Sequence, residues 1–204
     1  MNPARQSSHG QQREPLLEPL LASLRYRHSL ACLRQMALQR PIIGLDYGCG
    51  YQGRFVSLAN RIPGVSFHGC DLSVSAQNPA LFCSSDGKLD ATRLQPDVIT
   101  LHAVLEHLDD PRGTVEQLRR LLPESGLLLL TVPSKRSQPL LEFLAFRLGL
   151  ISKTEIADHK QYYDRDSLQA LLGDLFPVVR HEYFQLGMNN RVLAQVSATH
   201  AGPC

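Results

Sequence analysis

Short apolar runs alternate with amphipathic stretches along most of this chain. Within residues 14–40, Leu17, Leu20, Leu21, Leu24, Leu30, Leu33 and Ala37 recur at helical spacing, and Pro15 and Pro19 fit only near the start of such a helix. The pattern changes at Pro41. Residues 42–46 and 65–71 read as strands on either side of a helix over 54–61, and residues 97–102 read as a later strand. Residues 111–122 read as a helix, because Asp110 can cap it, Pro111 suits its first position, and Val115, Leu118 and Leu122 share one face. The almost wholly apolar run 127–132 is expected of a strand covered on both sides. This alternation predicts an α/β fold with a parallel sheet wrapped by helices.

The end of the chain departs from that rhythm. After a helix near 167–175 come two strand-like runs, 178–185 and 191–196, joined only by the turn from Leu186 to Asn190. So short a connection makes a hairpin, which requires one antiparallel strand at the end of the sheet. Residues 14–198 are expected to form a single domain, with the polar stretches 1–13 and 199–204 as disordered arms.

Composition removes some classes of function and leaves others open. Lys plus Arg is 21 and Asp plus Glu is 19, giving a formal charge of +2, too weak a bias to suggest nucleic acid as a partner. No apolar run is long enough to span a bilayer, and the first residues lack the apolar segment of a secretory signal. Cys32, Cys49, Cys70, Cys83 and Cys204 form no C-x-x-C pair, so they read as free thiols. A cytoplasmic location is the expectation.

Candidate chemistry begins at Gly48-Cys49-Gly50-Tyr51-Gln52-Gly53, a G-x-G-x-x-G turn between a strand and a helix. Such a turn lets a ligand lie against bare backbone, and its spacing serves either a dinucleotide or S-adenosylmethionine. Asp46, two residues before Gly48, places a carboxylate where it would face the mouth of the turn. A pyrophosphate would be repelled there, whereas an ammonium and a sulfonium would be favoured. The next strand ends in Asp71, positioned to grip ribose hydroxyls.

The segments LDYGCGYQG (45–53), HGCDLS (68–73), DVITLHAVLEHLDDP (97–111) and SGLLLLTVPS (125–134), with the final hairpin, resemble the class I S-adenosylmethionine-dependent methyltransferases. The resemblance covers residues 25–196, and LEH and DHKQYYDRDSL are most similar to a branch with ubiquinone-biosynthesis-type O-methyltransferases and sugar or lipid methyltransferases. It implies a Rossmann-like, mostly parallel seven-stranded sheet with an antiparallel last strand, helices on both faces and an extra N-terminal helix. It implies S-adenosylmethionine as cofactor, with Gly48, Gly50 and Gly53 around the methionine part and Asp71 on the ribose. The expected cofactor-binding set is Asp46, Gly48, Cys49, Gly50, Gly53, Asp71, Leu72, Asp86, Leu101 and His102. Asp86, with Asp90 as rival, is the candidate for the adenine amino group. The stretch from Asp71 to Asp97 is short for the family and predicts a shortened helix there.

An oxygen or nitrogen acceptor needs a base, and imidazole suits that task near neutral pH. His107, just past the fourth strand, is the first candidate, although His107 and Glu106 could equally hydrogen-bond the turn into the next helix. His159 is a second base or an acceptor ligand, and Tyr162 or Tyr163 could stack on a ring. His102 is expected to line the cofactor. Glu106, His107 and His159 are also similar to the metal ligands of small-RNA 3′-terminal 2′-O-methyltransferases. Ala103 stands where that pattern has its first glutamate, and no metal is expected.

Residues 138–151 form the most apolar helical stretch, read first as packing against the sheet or N-terminal helix. The other reading is a lid, or a peripheral membrane contact through 139–151 with Lys135, Arg136 and Arg147 toward acidic headgroups. Asn189 and Asn190 suit turn geometry. The expected activity is O-methylation of a small-molecule, sugar or lipid-linked acceptor. The alternatives are an NAD(P)-dependent oxidoreductase, a metal-assisted RNA 2′-O-methyltransferase, and a non-catalytic scaffold that retains the cofactor fold.

Overall fold

The computed structural model describes residues 18–72, 74–75, 77–83 and 94–196. The chain runs α1 (Glu18–Ala37), β1 (Ile42–Tyr47), α2 (Arg54–Ala59), β2 (Val65–Asp71), β3 (Leu81–Cys83) and β4 (Val98–His102). It continues through α3 (Pro111–Leu121), β5 (Leu127–Pro133), α4 (Gln138–Glu142), α5 (Lys153–Ala157), α6 (Arg165–Leu172), β6 (Val178–Phe184) and β7 (Asn189–Gln195). Seven strands form one sheet in the order β3-β2-β1-β4-β5-β7-β6. β7 lies antiparallel to both its neighbours, while the pairings from β3 through β5 are all parallel. The order reverses between β1 and β4, and in open α/β sheets ligands bind at the carboxyl ends of the strands beside such a reversal.

Alternation along β5 shows why the sheet is covered on both sides. Leu128 and Leu130 pack with Val115 and Leu118 of α3 and Leu168 and Leu172 of α6, whereas Leu129 packs with Leu33 of α1 and Phe55 and Val56 of α2. Successive side chains of a strand point to opposite faces, so a wholly apolar run satisfies both layers at once. The Asp110 side chain accepts from the Gly113 amide at the start of α3, and Asp164 forms a capping box with Ser167 at the start of α6.

Between Asp71 and Asp97, where a shortened helix is expected, the described residues hold none, and residues 84–93 of that stretch lie outside the described residues. Three-residue β3 sits at the sheet edge, where it needs only β2 as partner. The apolar stretch 138–151 does not turn its large side chains inward. Ala145 and Ile151 are buried, but Leu140, Phe143, Phe146 and Leu148 are between 43% and 52% exposed. The helix widens to π-helical geometry over Phe143–Leu148 before Gly149 ends it in a left-handed conformation. The expected arms and Asp86 and Asp90 lie outside the described residues.

Candidate functional site

The glycine turn leaves β1 at its carboxyl end. The Gly48 and Cys49 amides both donate to the Cys70 carbonyl, at 2.9 and 3.1 Å, tying the turn to β2. Gly48 and Gly50 adopt φ values of +74° and +70°, which side chains disfavour. Their surroundings differ. A Cβ at Gly48 would lie 2.5 Å from Val104 Cγ2, so the turn presses against the segment that follows β4, whereas a Cβ at Gly50 would meet nothing within 4 Å. Gly50 therefore presents bare backbone to open space, which fits a cofactor lying across it.

Asp71 stands beside that opening. Its Oδ2 accepts from the Gly50 amide at 2.8 Å and its Oδ1 from the Leu72 amide at 2.7 Å. A carboxylate has roughly four acceptor sites, so both oxygens keep capacity for ribose hydroxyls. Leu72 is exposed beside it.

Asp46 is not open at the mouth of the turn, as expected from its spacing, but 3% exposed behind it. Sheet register sets it beside Thr100 of β4. Thr100 Oγ1 donates to Asp46 Oδ1 at 2.5 Å, and His102 Nδ1 lies 3.3 Å from the same oxygen. The His102 ring is enclosed by Phe55 and Tyr26, with centroids 4.4 and 5.1 Å away. Leu101 brings no side chain to the pocket, because it is buried in the layer formed with α3 and α6. Cys49 and Cys70 are buried free thiols; burial pushes the Cys70 thiol up to about 12 and raises that of Cys49 as well. Both stay protonated and unreactive.

A second cluster forms where the chain leaves β4. Ala103 adopts φ +58°, and the following 3-10 turn, Leu105–His107, places Glu106 and His107 at its end. The Lys160 amide donates to the Glu106 carbonyl at 2.7 Å, drawing residues 158–163 alongside. His107 Nδ1 lies 3.1 Å from Asp158 Oδ2, and the His107 and His159 ring centroids are 4.9 Å apart. The Tyr162 ring packs against His159 at 5.2 Å. Tyr163 is instead structural: it is 3% exposed and donates to the Leu105 carbonyl. Asn190 is likewise a buried tie, its side-chain amide donating to the Tyr163 carbonyl at 3.0 Å.

Glu106, His107 and His159 offer ligand atoms within 4.8 Å of one another, close enough for a divalent metal. Burial pushes the His159 imidazole down to about 4, reinforced by the His107 charge against the opposing pull of Asp158. The unfolded chain protonates His159 near 6.5, so falling pH favours unfolding between that value and about 4. Stability is expected to be full above that window and to decline within it. His159→Gln should flatten the decline in thermal melts taken across the window, and an unchanged slope would place the acid sensitivity elsewhere.

The sequence brought His107 and His159 forward, and the fold sets them side by side. It did not reveal that Asp158 reaches His107, although Asp158 adjoins His159. Ser29 of α1, whose Oγ lies 2.9 Å from His102 Nε2, carried no sequence signal.

Residues 21–175 match the family model described as a methyltransferase domain. Trans-aconitate 2-methyltransferase of Methylobacterium radiotolerans is 28% identical over 132 residues, covering 61% of this chain and 51% of the relative. The chain thus spans about half the length of that curated relative. Among solved structures, Burkholderia thailandensis 1,6-didemethyltoxoflavin-N1-methyltransferase, with bound 1,6-didemethyltoxoflavin and S-adenosylhomocysteine, aligns at TM-score 0.63 and 16% identity. That alignment covers 88% of this chain and 81% of the other. The magnesium protoporphyrin IX methyltransferase of Synechocystis PCC 6803 with bound S-adenosylhomocysteine aligns at TM-score 0.62 and 16% identity, covering 93% and 91%. A methyltransferase in complex with the Haloferax volcanii Trm112 activator aligns at TM-score 0.64 and 11% identity, covering 90% and 95%. These structures share the fold, and the dinucleotide alternative falls with the family match. Glycine turn, sheet order and family match agree: the chain belongs to the methyltransferase-domain family, the S-adenosylmethionine-dependent methyltransferases of class I.

Proposed function

We propose that this protein transfers a methyl group from S-adenosylmethionine to an oxygen of a small-molecule, sugar or lipid-linked acceptor. The observation that carries this reading is the Asp158–His107 pair beside the segment that presses on Gly48. When bound, the cofactor supplies a sulfonium-activated methyl group, so the protein's tasks are alignment and proton removal. A carboxylate only accepts hydrogen bonds, so His107 Nδ1–H donates to Asp158, and in that neutral tautomer the ring's basic lone pair lies on Nε2. His159, kept neutral by burial, stands against the same ring and shapes the acceptor side. Gly50, Asp71, Leu72 and His102 belong to the cofactor side in this reading. The test is incubation with labelled methyl donor and fractionated cell extract. Label entering an aqueous or lipid fraction supports transfer; cofactor binding without any label uptake would favour the scaffold alternative.

A lipid-linked acceptor is supported by the exposed row Leu140, Phe143, Phe146 and Leu148, with Arg147 and Lys135 nearby in sequence. Apolar side chains rimmed by basic groups suit the surface of an anionic bilayer. No helix among the described residues is long and apolar enough to cross a membrane. Co-sedimentation with vesicles containing anionic lipid is expected, and Phe143→Ser with Phe146→Ser should reduce it by about tenfold or more. Equal sedimentation of wild type and variant would remove the membrane contact. The metal-assisted alternative draws on the Glu106, His107 and His159 cluster and predicts that a chelator abolishes transfer and added divalent cation restores it.

A further inference from the structure

α1 does more than cover the sheet. Ser29 is 3% exposed, and its Oγ lies 2.9 Å from His102 Nε2. On the other side of the ring, Nδ1 faces Asp46 Oδ1 at 3.3 Å, and both side chains of that pair are 4% exposed. The three groups come from α1, β4 and β1, and they form one buried polar chain ending behind the glycine turn. Directions follow from donor chemistry. Asp46 can only accept, so His102 carries a proton on Nδ1; in the neutral ring Nε2 is then an acceptor, and Ser29 donates to it.

We propose that Ser29 is a positioning residue of the cofactor site, holding His102 in the Nδ1–H form that orients the Asp46 carboxylate toward the methionine end of S-adenosylmethionine. The proposal rests on the cofactor pocket described above. Without the hydroxyl, Nε2 has no donor from α1 and the ring gains the freedom to move its proton to Nε2. That form points a lone pair at the carboxylate and removes one of the two donors on Asp46 Oδ1. A buried carboxylate that loses a donor is no longer held in one orientation. α1 docking and cofactor affinity are thereby coupled through a side chain that touches no cofactor itself.

The test compares wild type, Ser29→Ala and Ser29→Thr by calorimetry with S-adenosylhomocysteine and by 15N NMR of the histidine rings. Wild type should show His102 protonated on Nδ1. Ser29→Ala should weaken binding about tenfold and mix the two ring forms, while Ser29→Thr, which keeps the hydroxyl, restores both. In the labelled-donor assay the alanine variant should raise the KM for S-adenosylmethionine with kcat within about twofold, a split that follows from affecting binding alone. Equal affinity in wild type and Ser29→Ala, or a wild-type ring protonated on Nε2, would overturn the proposal. Should Ser29→Ala fail to fold, the wild-type ring form and the threonine variant still decide it. If wild type itself binds no S-adenosylhomocysteine, the cofactor pocket reading fails instead, and the ring spectra separate the two outcomes.

Discussion

His107→Ala is expected to lower methyl transfer by about 10²- to 10⁴-fold while S-adenosylhomocysteine affinity stays within about twofold, the range that removal of a general base produces. His107 lies past β4 and is held by Asp158, so its loss touches the acceptor's proton and leaves the glycine turn and Asp71 intact. Asp158→Asn should give a smaller loss of about tenfold, because the amide can still accept from Nδ1–H through its oxygen but no longer stabilises the charged ring. The order His107→Ala below Asp158→Asn below wild type, read in the labelled-donor assay with the accepting fraction, is the signature of an oriented base. Wild-type turnover in His107→Ala would remove the base role and leave the imidazole as part of the turn into α3.

The second large effect is expected at the glycine turn, where two neighbouring glycines should fail for different reasons. Gly50→Ala places a methyl group in open space, so the protein should fold with a loss of about 1–2 kcal/mol from the left-handed backbone. The added methyl occupies the face on which the cofactor would lie, and S-adenosylhomocysteine binding should fall by more than about a hundredfold. Gly48→Ala meets the same backbone strain and, in addition, Val104 at 2.5 Å, so it should lower thermal stability more than Gly50→Ala does. Thermal melts and calorimetry on the two variants separate the effects. Unimpaired binding by Gly50→Ala would mean that the cofactor does not cross the turn at that point.

Much of the architecture was legible because it rests on local patterns. The apolar run in β5 announces a strand buried on both faces, and the Asp110-Pro111 pair announces the start of α3. The tight link between β6 and β7 leaves the chain no room for a crossover, so the antiparallel end of the sheet follows from loop length alone. β3 escaped notice because three residues carry too little periodicity to distinguish a strand. The stretch 138–151 misled for the opposite reason: its composition announces burial, but its π-helical segment leaves Phe143 and Phe146 exposed.

The proposed cofactor side of the site was visible as a string of neighbours: three glycines, one acid before them and one at the end of the next strand. The acceptor side was visible only as separate candidates. His107 and Asp158 are 51 residues apart, and Ser29 and His102 are 73 apart. No periodicity links such pairs.

Chain order by itself determined most of the strand and helix sequence, β3 excepted, the bend of bare backbone after β1 and the reversal at the last strand, because each is written in residues that touch one another along the chain. Tertiary structure alone decided that Asp46 lies behind the bend rather than at its mouth, that Asp158 meets His107, and that α1 meets His102 through Ser29. Those facts depend on which strands become neighbours and in what register. That choice is made when both faces of the sheet are buried together, and no short segment carries it.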